Sequence, residues 1–406
     1  MAANHSDTLV VGAGQAAMAV ARNLRESGYA GSVTVVGEEM IAPHERPPLS
    51  KDFLTQVPAP APVLFAEGNW WSVHAVDLLL GEQAVRIDPA AHQVHLASGA
   101  TLAYGRLVIA TGGRARQAPV GMTVRTLADS RTLAERFATA RSVCVVGGGF
   151  LGLEIAASAR KRGLDAVVLE AAPRLLSAVL PAELSEWMHA LHARHGTQIQ
   201  CGAVVTEMTE RGRGAFSVLA DGLHVEADCL VTAIGMQPNT LLAEEAGLTV
   251  QGGIVVDALC RTSAPDIYAI GDVAAVVDPV DGRARRVESW QNADYQGALV
   301  AAAIAGTPIP ARPVPWFWTE QYGLSIQVLG RLPADGTLVW RGDPGASSFV
   351  AISLLHGQLL GAVGVNAGRE LAPLRQLIAA EARVDPGMIV DARSLRDVLA
   401  EVRRGG

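Results

Sequence analysis

One stretch, Val143 to Glu170, constrains the fold more than any other part of the chain. A short apolar run reaches Gly147, Gly149 and Gly152 at the G-x-G-x-x-G spacing; a helical pattern and a second apolar run follow. In a strand–turn–helix unit the first glycine makes the tight turn, the second lets the backbone approach a pyrophosphate, and the third lets the helix pack on the strand. The stretch predicts a dinucleotide-binding unit, although three glycines alone could simply build a turn.

The acid at the end of the second apolar run predicts which nucleotide binds. A carboxylate at Glu170 can accept hydrogen bonds from a ribose 2′-OH and repels a 2′-phosphate. We therefore expect NADH to be preferred over NADPH. Arg174 follows closely enough in the sequence to soften that preference.

The N-terminal region repeats this pattern. An apolar strand, Thr8 to Val11, leads into Gly12, Gly14 and Ala17, which is the G-x-G-x-x-A variant, and a second strand is predicted at Val33 to Val36. Two such units in one chain indicate two bound dinucleotides.

Length and composition favour a compact α/β protein. The 406 residues predict two or three domains, and with half of them apolar and 18% charged, buried parallel strands are expected. The net charge of −7 gives no sign of a nucleic acid or an anionic membrane as partner. The N-terminus lacks a signal-peptide pattern and no apolar run reaches membrane-spanning length, so we expect a cytoplasmic enzyme with no membrane contact.

Cysteines and histidines give little indication of metal chemistry. The four cysteines show no C-x-x-C spacing, so zinc, an iron–sulfur cluster and a disulfide are not expected, and Cys144 is interpreted as a buried, inert thiol. His189, His192 and His195 recur every third residue in a predicted surface helix. They could form a metal-binding face, but a solvated helix without metal is the favoured interpretation.

Three further segments carry candidate site residues. The proline-stiffened loop Pro43 to Lys51 could direct Ser50 or Lys51 at a cofactor, or it could be an ordinary surface connector. Asp272 follows a short strand and could grip a cofactor hydroxyl or act as a helix N-cap. From Pro313 onward, antiparallel-looking strands and two helices predict a separate α+β domain.

Together these pieces resemble the bacterial FAD-dependent NADH:ferredoxin reductases of the putidaredoxin reductase family, which serve aromatic-ring dioxygenases and cytochromes P450. The glycine motifs identify only the superfamily, whereas the Pro-Pro-Leu-Ser-Lys loop and the Trp-Phe-Trp segment are more specific. The matching segments are Gly12 to Ala17, Arg46 to Lys51, Ala110 to Gly113, Gly147 to Glu154, Tyr268 to Asp272, Glu288 to Trp290 and Pro315 to Trp318.

The resemblance implies a glutathione-reductase-like α/β fold with two Rossmann-like dinucleotide-binding domains and a C-terminal α+β domain. The implied boundaries are 1–114 and 241–314 for FAD, 115–240 for NAD, and 315–406 for the C-terminal domain. Lys51 and Glu154 would act on the flavin and nicotinamide, and Trp318 would lie between the flavin and a docked ferredoxin. The implied FAD contacts are Gly12, Gly14, Ala16, Glu38, Lys51, Ala84, Arg125, Asp272 and Trp290. The implied NADH contacts are Gly147, Gly149, Gly152, Glu170 and Gly235.

The implied activity is transfer of hydride from NADH to FAD and of single electrons to a [2Fe–2S] ferredoxin, which serves a cytochrome P450 or a Rieske-type dioxygenase. Arg283, Arg285 and Arg286 could form a basic patch for that ferredoxin, or a plain solvated loop. An NADH oxidase-like flavoenzyme and an NADH/FAD redox sensor are the alternative functions. A thiol-based disulfide reductase is disfavoured, because no cysteine precedes Cys144.

Overall fold

The computed structural model describes residues 5–212 and 214–405. The first four residues of the N-terminal segment considered above therefore lie outside the described part. The chain forms two compact units. Unit 1 comprises Met1–Glu45, Ala61–Arg114 and Met236–Pro313, and unit 2 comprises Arg46–Pro60, Ala115–Gly235 and Val314–Gly406. The assignment of three domains stays a prediction.

The described residues form both α-helices and β-strands. The α-helices are α1 Gln15–Glu26, α2 Asp52–Thr55, α3 Trp70–Val73, α4 Leu127–Thr139, α5 Phe150–Lys161, α6 Ala182–Arg194, α7 Leu241–Glu245, α8 Trp290–Ala305, α9 Gly368–Ala379, α10 Pro386–Asp391 and α11 Leu395–Gly405. Short 3₁₀ turns occur at Pro47–Ser50 and Gly271–Val273. The strands are β1 His5–Val11, β2 Val33–Gly37, β3 Val76–Leu80, β4 Ala84–Asp88, β5 Gln93–Leu96, β6 Thr101–Ile109, β7 Gly113–Ala115, β8 Ser142–Val146, β9 Asp165–Glu170, β10 Thr197–Cys201, β11 Val205–Arg211, β12 Ala215–Ala220, β13 Leu223–Ala227, β14 Cys229–Thr232, β15 Met236–Pro238, β16 Ile254–Val256, β17 Ile267–Ala269, β18 Ala274–Val277, β19 Ala284–Arg285, β20 Trp316–Gln321, β21 Leu324–Gly330, β22 Thr337–Arg341, β23 Phe349–Leu355 and β24 Gln358–Val365.

Unit 1 is organised around a mainly parallel sheet. Its strand order is β3-β2-β1-β6-β5-β4, with β17 also pairing with β6. The strands β1, β2, β3, β6 and β17 pair in parallel, and β4 and β5 extend β6 in antiparallel fashion. All five residues of β2 are buried, as expected for a strand covered on both faces. Helix α8 comes close to α1 at Gly297, where a Cβ atom would meet the side chain of Ala19.

Unit 2 contains a second parallel sheet, of order β10-β9-β8-β14, which packs with α5. An antiparallel sheet, β11-β12-β13, lies between β10 and β14 in the chain. The C-terminal segment of unit 2 forms a five-stranded antiparallel sheet of order β20-β21-β24-β23-β22. The buried side chains of this sheet and of α9, α10 and α11 form one apolar core.

Two sequence-based predictions require correction. The C-terminal segment contains three helices rather than two, because the last polar stretch divides into α10 and α11 at Ala392. Helix α6 exists as predicted, but it is not solvated on all sides. Leu184, Met188 and Leu191 are buried on one face of α6, and His192 lies on that face, fully buried.

Candidate functional site

Both parallel sheets contain the same glycine turn. Gly12 and Gly147 have φ angles of +109° and +113°, which L side chains rarely adopt. Each donates its N–H to the neighbouring strand, to Val36 O and Leu169 O respectively, at 2.8 Å. A Cβ atom at either glycine would overlap a backbone carbonyl oxygen of the next parallel strand. The two turns are therefore the same construction, made twice.

The helices that follow these turns begin without a side-chain cap. Helix α1 starts after Gly14 and α5 after Gly149, whereas α4 and α8 are capped by Thr126 and Ser289. A Cβ atom at Gly14 or Gly149 would have no neighbour within 4 Å among the described residues. The first-turn N–H groups, which have no partner inside a helix, face this open space. Each of these two glycine-lined helix N-termini, called a cradle below, therefore fits a pyrophosphate group.

The predicted nucleotide acid is held beside the second cradle. Glu170 accepts hydrogen bonds through Oε2 from the N–H of Gly148 at 2.5 Å and through Oε1 from the N–H of Ala172 at 2.7 Å. The carboxylate is therefore fixed at the carboxyl end of β9. Arg174 donates to Ser185 Oγ at 2.9 Å, so its guanidinium is engaged elsewhere in unit 2.

Unit 1 places its acid differently. Because Val36 O and Leu169 O accept the equivalent turn hydrogen bonds, Gly37 is the structural counterpart of Glu170. A Cβ atom at Gly37 would overlap the Cβ of Ala13, so a side chain is excluded there. Glu38 follows one residue later and is exposed. Its contact with a ribose stays a prediction.

The other predicted FAD contacts of unit 1 lie on four separate elements. Ala16 is buried in α1, Ala84 begins β4, and Trp290 is the first residue of α8. Asp272 lies inside the 3₁₀ turn after β17, whose N-cap is Ile270, so the alternative of Asp272 as an N-cap is wrong. The turn is fixed by the N–H of Gly271, which donates to Gln296 Oε1 at 2.7 Å.

Unit 2 contains a buried carboxylate with three donors, that of Glu154 on α5, which is 7% exposed. Lys51 Nζ lies 2.9 Å from Glu154 Oε1, and Thr319 Oγ1 donates to the same oxygen at 2.6 Å. Ser50 Oγ donates to Oε2 at 2.5 Å. A buried carboxylate is tolerated only with such compensation. The Lys51 side chain is 14% exposed, so the interpretation of this loop as an ordinary solvated connector is wrong.

Helical and strand periodicities together build this cluster. Phe150, Glu154 and Ser158 are spaced by four residues and share one face of α5. Phe317 and Thr319 share one face of β20, and the Phe150 and Phe317 rings lie 4.3 Å apart. The loop is held in place because Ser158 Oγ donates to the backbone oxygen of Ser50 at 2.7 Å.

The remaining predicted residues of unit 2 lie on several other segments. Trp318 is on the opposite face of β20 from Thr319, and its ring stacks with that of Trp316 at 4.9 Å. Gly235 has a φ of +98° and accepts a hydrogen bond from the N–H of Arg116. Arg125 precedes α4, and its backbone oxygen accepts from Arg46 at 2.5 Å. The third glycine of the motif, Gly152, meets the carbonyl of Gly147, where a Cβ would overlap.

Two of the three candidate docking arginines form ion pairs with acids. Arg285 pairs with Asp278 and Asp281, and Arg286 pairs with Glu288 at 2.9 Å. The hydrogen bond from Arg285 lowers the pKa of Asp281 to about 2. Three acids thus balance three arginines in this segment. The hypothesis of a basic docking patch here is not supported.

Neither thiol nor metal chemistry finds a site in the described residues. Burial raises the pKa of the Cys144, Cys229 and Cys260 thiols to about 12, and it also raises that of Cys201. Cys144 is buried and unpaired, as the sequence predicts. The described residues include no cluster of three or more His, Cys, Asp or Glu side chains that could hold a metal ion. No helix among them has the length and apolarity to cross a membrane.

Lys51 and Glu154 were predicted as site residues from the sequence, whereas Thr319 and Gln321, which lie in the same hydrogen-bonded cluster, were not. Thr319 contacts Glu154 across 165 residues of sequence, and no local pattern reports such a contact. The available signal was the alternation along β20, where two polar residues of an apolar-looking strand share the face of Phe317. Gln321 is 2% exposed, and its Nε2 donates to Thr319 Oγ1 at 3.1 Å.

Two family models match the chain. Residues 6–297 match the pyridine nucleotide-disulphide oxidoreductase family, and residues 316–399 match the reductase C-terminal family. One similar protein is the ferredoxin–NAD(+) reductase component of the anthranilate 1,2-dioxygenase system of Burkholderia cepacia. It is 38% identical over 391 residues, which are 94% of this chain and 96% of that protein.

Two solved structures are similar over nearly the whole chain. The ferredoxin reductase for the CYP199A2 system of Rhodopseudomonas palustris has a TM-score of 0.91 and 34% identity, covering 97% of this chain and 100% of that one. The reductase in the covalent putidaredoxin reductase–putidaredoxin complex has a TM-score of 0.90 and 31% identity, covering 98% and 99%. These matches confirm the fold predicted from the sequence.

Proposed function

The chain belongs to the pyridine nucleotide-disulphide oxidoreductase family and, within it, to the ferredoxin–NAD(+) reductases of oxygenase systems, and from this membership we propose how its residues perform the reaction. The protein oxidises NADH and delivers the electrons singly to a [2Fe–2S] ferredoxin, which serves a cytochrome P450 or an aromatic-ring dioxygenase. The observation that carries the proposal is the pair of glycine-lined, uncapped helix N-termini, one in each unit.

The two cradles are assigned to different dinucleotides. Unit 1 holds FAD through the turn at Gly12 and the start of α1, and unit 2 holds NADH through the turn at Gly147 and the start of α5. FAD held there would supply hydride acceptance and single-electron release, which is chemistry that no amino-acid side chain supplies. The protein orients the reactants and stabilises charge.

Lys51 and Glu154 form the charged centre of that task. The ammonium of Lys51 is held by the Glu154 carboxylate and by the backbone oxygen of Pro47, at 2.9 and 2.8 Å. A fixed positive group of this kind can stabilise negative charge that develops during hydride transfer, without reorganising at the moment of reaction. We assign Trp318 to the route of the electrons towards the ferredoxin.

The proposal also includes a preference for NADH over NADPH and a location in the cytoplasm. The fixed carboxylate of Glu170 supports NADH over NADPH, because it can accept from a ribose diol and repels a 2′-phosphate. The engagement of Arg174 with Ser185 removes the cation that could have softened this preference. A cytoplasmic location stays a prediction from the sequence.

Steady-state turnover tests the proposed function. FAD-loaded protein is mixed with NADH and cytochrome c, with and without a [2Fe–2S] ferredoxin, and the assay is repeated with NADPH. We expect ferredoxin to raise the rate of cytochrome c reduction many-fold, and NADH to be the better donor. A flavin that is bleached by NADH, with no acceleration by ferredoxin, would instead support an NADH oxidase or a redox sensor.

A further inference from the structure

A continuous chain of buried hydrogen bonds leads away from Glu154 within unit 2. Thr319 Oγ1 donates to Glu154 at 2.6 Å, and Gln321 Nε2 donates to Thr319 Oγ1 at 3.1 Å. His192 Nε2 lies 2.7 Å from Gln321 Oε1, and Tyr322 Oη lies 3.0 Å from His192 Nδ1. Thr319 and His192 are fully buried, so these groups have no water to pair with instead. No step of the reaction as proposed above uses the chain beyond Glu154.

The first link fixes the direction of the chain. The Glu154 carboxylate is paired with Lys51 and, as an anion, can only accept hydrogen bonds. The single proton of the Thr319 hydroxyl must therefore point at Glu154. The hydroxyl oxygen is then left to accept from the amide nitrogen of Gln321, which orients that amide.

The remaining links follow from this orientation. With its nitrogen on Thr319, Gln321 presents its carbonyl oxygen to His192, and that oxygen can only accept. The proton of His192 must therefore lie on Nε2, so Nδ1 accepts from the hydroxyl of Tyr322. Thr197 Oγ1, 3.0 Å from Tyr322 Oη, is then placed to donate to it. Every donor in the chain thus points towards Glu154.

We propose that Thr319, Gln321, His192 and Tyr322 are positioning residues, which act through one another to orient the Glu154 carboxylate for Lys51 during hydride transfer. The proposal rests on the proposed function. Aligned hydrogen bonds in a dry interior polarise one another, so the last donor, Thr319, binds the carboxylate more strongly than an isolated hydroxyl does. A neutral His192 is required, and burial provides it, because it lowers the pKa of this side chain to about 4.

This series of hydrogen bonds orients the charged carboxylate of Glu154 and does not conduct protons. Gln321 stands in its middle, and an amide passes a proton on only by becoming its imidic acid. The proposed role is therefore tested by the tautomer of His192 and by the coupling of these residues to Glu154, rather than by a measurement of proton release.

Nuclear magnetic resonance of ¹⁵N-histidine-labelled holoenzyme tests the direction without any turnover. The His192 signals are assigned by their loss in the variant His192→Gln. The direction of the hydrogen bonds predicts the Nε2–H tautomer for His192, with Nδ1 as an acceptor. The Nδ1–H tautomer, or a mixture of the two, would overturn the proposal whether or not the protein reduces a ferredoxin.

The rate of flavin reduction tests whether Thr319 and Gln321 contribute to hydride transfer. The rate of flavin reduction by saturating NADH, which requires no ferredoxin, is compared for Gln321→Leu, Thr319→Val and Thr319→Ser. We expect roughly a tenfold fall for the first two, comparable to the loss found when groups that orient metal ligands are removed. Thr319→Ser retains the hydroxyl and should retain most of the rate. Thermal unfolding and FAD content identify any variant that fails to fold.

A double-mutant comparison separates positioning from general damage. In a Glu154→Gln background the carboxylate charge is absent, so Gln321→Leu should cause no further loss of the flavin-reduction rate. An equal tenfold loss in both backgrounds would contradict the proposal, because residues that act through Glu154 cannot contribute independently of it.

Discussion

Lys51 Nζ and Glu154 Oε1 lie 2.9 Å apart, and neither side chain is more than 14% exposed. The lysine follows a 3₁₀ turn stiffened by two prolines, and the glutamate stands on the second turn of α5. Because both charges are largely removed from water, loss of either partner leaves an uncompensated buried charge. The pair is therefore sensitive to single substitutions in a way that exposed ion pairs are not.

Substitution of Lys51 by methionine should slow hydride transfer. We expect the rate of flavin reduction by NADH to fall roughly 10²-fold, as is found when a preorganised electrostatic group is removed from an active site. Stopped-flow absorbance of the flavin measures it. Lys161→Met is the matched control, since this other lysine is exposed at the end of α5, and its rate should stay at the wild-type value. Equal rates for both variants would contradict the role of Lys51.

Substitutions of the first two glycines of the N-terminal motif should affect different properties, namely thermal stability and FAD affinity. Gly12→Ala forces a side chain into a left-handed backbone and against the carbonyl of Ala110, so the protein should unfold at a lower temperature. Gly14→Ala meets no neighbour within 4 Å, so it should fold normally but lose FAD affinity by roughly tenfold or more, because the methyl group blocks the close approach of the pyrophosphate.

Thermal unfolding of the FAD-free proteins and FAD titration separate the two effects. Gly149→Ala provides the parallel test in unit 2, where FAD binding should be intact and the KM for NADH raised. A Gly14→Ala protein that binds FAD with wild-type affinity would contradict the assignment of the first cradle.

Glu170→Gln should weaken the discrimination between NADH and NADPH. The substitution removes the negative charge and leaves one oxygen to serve the N–H groups of Gly148 and Ala172. We expect the ratio of kcat/KM for NADH to that for NADPH to fall roughly tenfold, about 1.4 kcal/mol of differential binding. Glu183→Gln, on the exposed side of α6, is the control and should leave the ratio unchanged. An unchanged ratio in Glu170→Gln would show that another group sets the preference.

His192 should make the free energy of unfolding depend on pH. Burial lowers its pKa from 6.5 to about 4, so between these values the unfolded chain binds the proton and the folded chain does not. The contribution is fully present above pH 6.5 and is lost as the pH falls towards 4. Between pH 7.5 and 5.0 the wild type should lose roughly 2 kcal/mol more than His192→Gln. Urea unfolding at both values measures the difference.

The exposed His189 on the same helix supplies the control for that experiment. His189→Gln should keep most of the pH dependence of the wild type, because substitution of this exposed side chain leaves His192 buried. If His192→Gln and the wild type lose equal stability between pH 7.5 and 5.0, the account of His192 as a buried neutral side chain is wrong.

Much of the fold could be predicted because its constraints are local. The turns at Gly12 and Gly147 each require a positive φ, an open approach and a close helix within a few residues, so a spacing of glycines encodes them. Glu170 ends a strand whose length is visible in the sequence. The alternation of apolar residues likewise predicted the C-terminal antiparallel sheet.

The residues that sequence reasoning missed depend on distant segments. Thr319 on β20 contacts Glu154 on α5, and Gln321 and Tyr322 contact His192 on α6, all across more than a hundred residues of sequence. Arg285 is a different case, because Asp278 and Asp281, which pair with it, lie only seven and four residues earlier in the sequence. Periodicity identifies a buried face and does not identify what covers it.

Direct electron transfer from the reduced holoenzyme to a ferredoxin tests the central claim. The FAD-loaded protein is reduced with one equivalent of NADH without oxygen and is then mixed in a stopped-flow instrument with excess oxidised [2Fe–2S] ferredoxin. The account predicts rapid reoxidation of the flavin, with two ferredoxins reduced for each flavin. A flavin that stays reduced until oxygen is admitted would contradict it.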